Sequence, residues 1–152
     1  MRAWLALALM LVLRPAAAAD YVALPGGSFT SVLPADGKVA PAQVAPFRMR
    51  TELVTNGDFL AFVKAHPEWQ RDKVASILAD ARYLTQWESA GSLGSAHARQ
   101  PVTRVSWFAA QAYCESEQAR LPGWYEWEFA AAADATRRDA RKDAAWREDI
   151  LG

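Results

Sequence analysis

With 152 residues, 17 basic and 17 acidic side chains, the chain has room for one domain. Its charge balance leaves no electrostatic footprint for nucleic acid or for an anionic membrane surface. A single cysteine excludes an internal disulfide, and two widely separated histidines, with no cysteine at zinc spacing, exclude a Cys/His zinc site.

The first nineteen residues have the form of an export leader. Arg2 supplies a positive start, Ala3 to Leu13 is uncharged and apolar, and Ala17-Ala18-Ala19 offers an Ala-x-Ala cleavage site before Asp20. The apolar run is shorter than the ~20 residues that cross a bilayer. Residues 1–19 are therefore predicted to be a signal peptide, leaving 20–152 without a membrane span, in a periplasmic or secreted location. Losing Arg2 and Arg14 leaves 15 basic against 17 acidic residues, a net charge of −2.

Val22 and Leu24 alternate with smaller residues in a first predicted strand. Pro25-Gly26-Gly27 is a turn signal, after which Ser28-Phe29-Thr30 is expected to pair back as a hairpin. Residues 31–42 look like an exposed connection. Val44 to Met49 is strand-like, with Phe47 and Met49 on one face and Arg48 and Arg50 on the other.

Thr55 is placed to cap a helix whose first turn holds Asp58 and whose apolar stripe is Phe59, Phe62 and Val63. His66-Pro67 should stop it. Val74, Ile77 and Leu78 predict a second helical piece within 68–81, Tyr83 to Trp87 a strand, and 89–100 a loop. Neither His66 nor His97 has neighbours that give it a ligand or catalytic role.

Pro101 to Val105 suggests a short strand into the core. Ser106 is a good cap for a helix with Trp107, Ala110, Cys114 and Gln118 on one face and Tyr113 beside them. Cys114 is thus expected to be buried and structural, with a bridge to another chain or a free thiol as open alternatives. Arg120-Leu121-Pro122-Gly123 joins this helix to another, capped by Gly123 and with Glu126 at its third position; Trp127, Ala130 and Ala131 are expected to line its packing face. Glu126 and Glu128 are two apart and so diverge, which favours capping and solvent exposure over an acid/base pair. From Asp134 onward, Arg137, Arg138, Arg141 and Lys142 alternate with Asp134, Asp139 and Asp143, as on a solvated helix face, with Trp146 and Ile150 as packing residues.

Three blocks in order carry a resemblance. They are Leu24-Pro25-Gly26-Gly27-Ser28-Phe29; Ala45-Pro46-Phe47 with Glu52-Leu53-Val54-Thr55-Asn56-Gly57-Asp58-Phe59; and Pro101-Val102-Thr103-Arg104-Val105-Ser106-Trp107 with Ala112-Tyr113-Cys114, Arg120-Leu121-Pro122 and Glu126-Trp127-Glu128-Phe129-Ala130-Ala131. From about Tyr21 to Ala133 the chain resembles the sulfatase-modifying-factor domain, the family of the formylglycine-generating enzyme. It departs from the family wording at Gly123-Trp124-Tyr125 and at Ala132-Ala133-Asp134.

The resemblance implies an irregular α+β fold of low secondary-structure content, related to C-type lectin folds. It covers only the N-terminal portion of such a domain, and a C-terminal half is the expected missing partner. In the family that later half holds the copper-binding cysteine pair and the calcium residues, so no catalytic, cofactor-binding or metal residue carries over to 20–152. Cys114 matches the cysteine of the A-Y-C motif, which in family oxidases can bond a late cysteine and is not one of the active pair.

A complete member would be an oxidase converting a substrate cysteine in a protein or peptide to formylglycine, with copper and calcium as its metals. The alternative is a non-catalytic binding or maturation module for a periplasmic metalloenzyme or siderophore pathway, with Trp69, Trp87 and Trp124 either core or partner-facing.

Overall fold

The computed structural model describes residues 20–34, 37, 40–134 and 136–151; the predicted leader lies outside them. Among the described residues the chain is a small mixed fold. Strands β1 (Tyr21–Leu24), β2 (Gly27–Thr30), β3 (Pro41–Val44) and β4 (Phe47–Arg50) precede helices α1 (Asn56–Ala65), α2 (Trp107–Ser116), α3 (Trp124–Ala131) and α4 (Ala144–Leu151). No described helix is long and apolar enough to cross a membrane.

The expected hairpin between the first two strands does not form. β1 pairs antiparallel with β4 and β2 with β3, and both pairings share one register, Leu24 opposite Phe47 and Gly27 opposite Val44. The four strands are two arms of one long ribbon, interrupted where Pro25-Gly26 faces Ala45-Pro46. Prolines at 25 and 46 have no N–H to give a ladder, so the interruption follows from the sequence. Gly26 adopts φ +67°, and a Cβ there would sit 2.3 Å from the Val44 carbonyl oxygen. Gly26→Ala is therefore expected to lower stability by roughly 1–3 kcal/mol, through a left-handed backbone and a clash that backbone must relieve. An unchanged urea midpoint would contradict this crossing geometry.

α1 forms as its sequence predicts. The Thr55 Oγ1 accepts from the Asp58 N–H at 3.2 Å, and the Asp58 carboxylate accepts from the Thr55 N–H at 3.0 Å. Phe59, Phe62 and Val63 are buried, and the helix ends at Ala65 before His66-Pro67. With Tyr83, Leu84, Trp87, Ala109 and Tyr113 they make the main core cluster. Phe59 is its hub, with ring centroids 5.2 Å from Phe62, 5.7 Å from Tyr113 and 6.3 Å from Trp87.

Three expected elements between α1 and α2 are absent. Residues 68–81 hold only a 3₁₀ turn (Pro67–Trp69) and further turns, and Ile77 is 85% exposed, so the 74/77/78 spacing marks no buried face. Residues 83–87 are turns rather than a strand, because buried Leu84 takes φ +52°. Arg71 satisfies the carbonyls this leaves, donating to those of Leu84, Trp87 and Glu88 at 3.2, 2.8 and 3.0 Å. Pro101 makes a single bridge to Thr55 and the Val102 N–H donates to Val54, but Arg104 at φ +53° prevents an extended strand. The predicted 89–100 loop is present, clamped to the start of α1: the Asn56 side chain donates to the His97 carbonyl at 3.0 Å and accepts from the Trp87 indole at 3.0 Å.

Candidate functional site

Ser106 caps α2 through a bond from the Ala109 N–H at 3.1 Å. The buried positions of the helix are Ala109 and Tyr113, with Val105, Ala112 and Cys114 packed partly against the core. The expected 107/110/114/118 face is rotated off the core: Trp107 is 65% exposed, and exposed Gln118 lies beyond the helix at φ +57°, where the Ala119 N–H returns to the Cys114 carbonyl.

Cys114 lies half-buried beside a small polar network. Arg50, at the end of β4, donates to the Tyr113 hydroxyl at 2.8 Å and to Asp58 at 2.8 Å. It thereby ties the ribbon to α1 and α2 from the strand face opposite Phe47 and Met49. Burial pushes the Cys114 thiol above its ordinary value, an effect only partly offset by the nearby Arg50 charge. Burial likewise raises Tyr113 against the opposing pull of Arg50. Burial also opposes ionisation of Asp58, but bonds from Thr55 and Arg50 outweigh it and hold the carboxyl low. Cys114 is thus a half-buried thiol packed partly against the core cluster.

At the α2–α3 joint, Arg120 grips Glu126 with two bonds of 2.6 Å, and the Gly123 N–H donates to the same carboxylate at 2.7 Å. The predicted capping role of Glu126 is present; the arginine partner, six residues upstream, is not a standard helix spacing. These bonds, from Arg120 first and then Gly123, lower Glu126 to about 2. A carboxylate with a depressed folded-state value stabilises above its ordinary value, and that contribution is lost as pH falls toward about 2. Acid urea titrations should accordingly show a shallower loss of stability in Glu126→Gln than in the parent. The difference will be modest, since Arg120 is largely exposed. Parallel acid limbs would rule out the pair as a contributor.

Glu128 is buried, which corrects its expected exposure. Its two oxygens accept from the Ser31 hydroxyl at 2.7 Å and the Val32 N–H at 2.6 Å, with Arg141 3.5 Å away. The packing face of α3 is therefore not Trp127/Ala130/Ala131; Trp127 is 58% exposed. Phe29 of β2 instead meets Tyr125 and Phe129 edge-on at 5.9 and 5.8 Å. Residues 134–143 are turns and bends among the described residues, not a helix face, but the acid–base alternation does pair: Arg137 with Asp134 and Asp143, and Arg141 with Asp139. Trp146 is half-buried; the Ile150 side chain lies outside the described residues.

Two open clefts of about 490 and 420 Å³ are present. The first is lined by Asn56, Gln86, Ser95, Gln100 and Thr103, and the second by Asp80, Arg82, Tyr83, Arg104 and Ser106; neither includes Cys114, Glu126 or Glu128. Gln86 donates to the Thr103 carbonyl at 2.7 Å, while its buried Oε1 accepts no bond from the described residues. Of the tryptophans weighed as partner-facing, Trp87 is buried, Trp69 packs partly against the core and Trp124 is 55% exposed.

The donor set does not fit the metals implied by the resemblance. Soft Cu(I) selects thiolates, and here one packed thiol sits near a guanidinium. Calcium takes six to eight oxygens, whereas Asp58, Glu126, Glu128, Asp134, Asp139 and Asp143 all have arginine partners. No group of three or more His, Cys, Asp or Glu side chains suited to a metal occurs among the described residues.

Residues 11–149 match the sulfatase-modifying factor enzyme 1-like domain. The match extends past Ala133, where the motif resemblance stops. A formylglycine-generating enzyme of Streptomyces coelicolor is 30% identical over 171 aligned residues, which take in 90% of this chain and 53% of the relative. The chain thus spans about half the length of the curated relative it matches.

Proposed function

Since the chain belongs to the sulfatase-modifying factor enzyme 1-like domain family, we propose that it is the N-terminal scaffold portion of a formylglycine-generating oxidase that acts on a cysteine in a protein substrate. The observation that carries this reading is the similarity to the Streptomyces enzyme over 90% of the chain. The polar groups of this portion support a scaffold role: Arg50, Asp58, Glu126 and Glu128 are all engaged in joining strands, caps and helices. In this proposal the protein is exported, the complete domain has a C-type-lectin-related fold, and copper and calcium are held by residues outside this portion.

The test is turnover of a cysteine-containing peptide by the protein carrying this chain, followed with an aldehyde-reactive probe. Labelling that requires the peptide cysteine supports the oxidase. No labelling under aerobic, copper-supplied conditions rejects it. A second reading makes the protein a binding or maturation module for a periplasmic metalloenzyme or siderophore pathway. Under that reading the protein retains a stable partner in pull-downs and leaves the peptide unchanged.

A further inference from the structure

Asn56 is the chain's only asparagine, and Gly57 follows it. Asn-Gly is the dipeptide most prone to spontaneous deamidation, because a residue without a Cβ leaves its backbone nitrogen free to approach the preceding side-chain amide. Both halves of that reaction are held here by one segment. The nucleophile, the Gly57 N–H, donates to the Ala98 carbonyl at 2.8 Å, and the leaving amide, Asn56 Nδ2, donates to the His97 carbonyl at 3.0 Å. The Asn56 N–H adds a bond to the Gln100 carbonyl at 2.8 Å, and Asn56 itself is buried. This docking favours glycine at 57, since a Cβ there would stand 3.2 Å from the Ala98 carbonyl oxygen, closer than such contacts usually come.

Residues 97–100 are exposed turn and bend, and among the described residues their bonds to α1 all come from Asn56 and Gly57. Such a segment opens at lower cost than the core.

We propose that Asn56-Gly57 is a deamidation site guarded by residues 97–100, and that reaction there makes opening of the segment permanent. With the segment open and the first turn of α1 frayed, the Gly57 nitrogen loses its proton and attacks Asn56 Cγ. The Cγ–Nδ2 bond then breaks and ammonia leaves. Water opens the cyclic imide to aspartate or isoaspartate, with no oxidant or cofactor required. Either product lacks the amide donor to the His97 carbonyl and brings a negative charge to a buried position. Asn56 lines the cleft of about 490 Å³ together with Ser95, Ala96 and Gln100, so the cleft changes shape with the reaction.

The full chain is held in mildly alkaline buffer. Deamidation is read by mass spectrometry of the peptide containing Asn56, alongside hydrogen exchange at the Gly57 amide. Native protein should deamidate more slowly than protein in urea, by a factor similar to the protection of the Gly57 amide. His97→Gly/Arg99→Gly keeps the reacting pair, removes only exposed side chains and favours the open segment. Deamidation and Gly57 exchange should both rise by about tenfold in it. In Asn56→Asp, Gly57 exchange should rise similarly while the Val63 amide, within α1, stays protected. Native deamidation as fast as that in urea overturns the proposal, as does a parental rate in the glycine variant. Unchanged Gly57 exchange in Asn56→Asp overturns the permanent opening. Loss of Val63 protection in that variant also overturns it, by assigning Asn56 to the whole fold rather than to this segment.

Discussion

Phe59→Ala is expected to lower stability by about 4 kcal/mol, read as a fall in the urea midpoint. The residue is 1% exposed and its ring meets those of Phe62, Trp87 and Tyr113. Removing it sacrifices burial of the ring and leaves a cavity that the three aromatics, two of them anchored elsewhere, cannot easily close. Tyr113 is held by Arg50, and Trp87 by Asn56. Phe59→Leu keeps most of the volume and should cost less than half as much. Equal losses in the two variants would mean that ring contacts, not volume, dominate the site.

Glu128→Ala is expected to cost about 3 kcal/mol. It deprives the buried Ser31 hydroxyl and the part-buried Val32 N–H of their acceptor, and leaves Arg141 with Asp139 as its remaining carboxylate. Glu128→Gln retains one oxygen for the Val32 N–H, and Ser31 can turn to accept from the new amide. It should recover roughly half the loss. Hydrogen exchange locates the effect: faster exchange of the Val32 and Leu33 amides in the alanine variant is expected, whereas unchanged exchange there would mean that α3 does not hold this loop.

Local features were legible in the sequence because their partners are close in the chain. Thr55 and Asp58 make a reciprocal cap three residues apart, Ser106 caps α2, and Glu126 takes the Gly123 N–H. What escaped is long-range. Nothing near Arg71 in sequence announces that it will serve carbonyls at 84, 87 and 88, and without that partner the turn at Leu84 looks like a strand. Glu128 meets Ser31 across 97 positions. The Pro25-Gly26-Gly27 signal was real, but it marked an interruption in a ribbon rather than a reversal, because Pro46 stands opposite. That facing proline was available in the sequence and would have argued against the hairpin. The 107/110/114/118 spacing misplaced the buried face of α2, which falls on Ala109 and Tyr113, and the clefts and the exposed aromatics required the full fold.

The paired prolines have one more effect. A two-stranded ribbon leaves hydrogen-bonding edges on both sides, and a long uninterrupted edge invites foreign strands and aggregation. Here the breaks at Pro25-Gly26 and Ala45-Pro46 divide each edge into four-residue lengths. Each length is too short to template a stable intermolecular ladder, so the two prolines that interrupt the fold's longest pairing also keep the ribbon from adding to its neighbours.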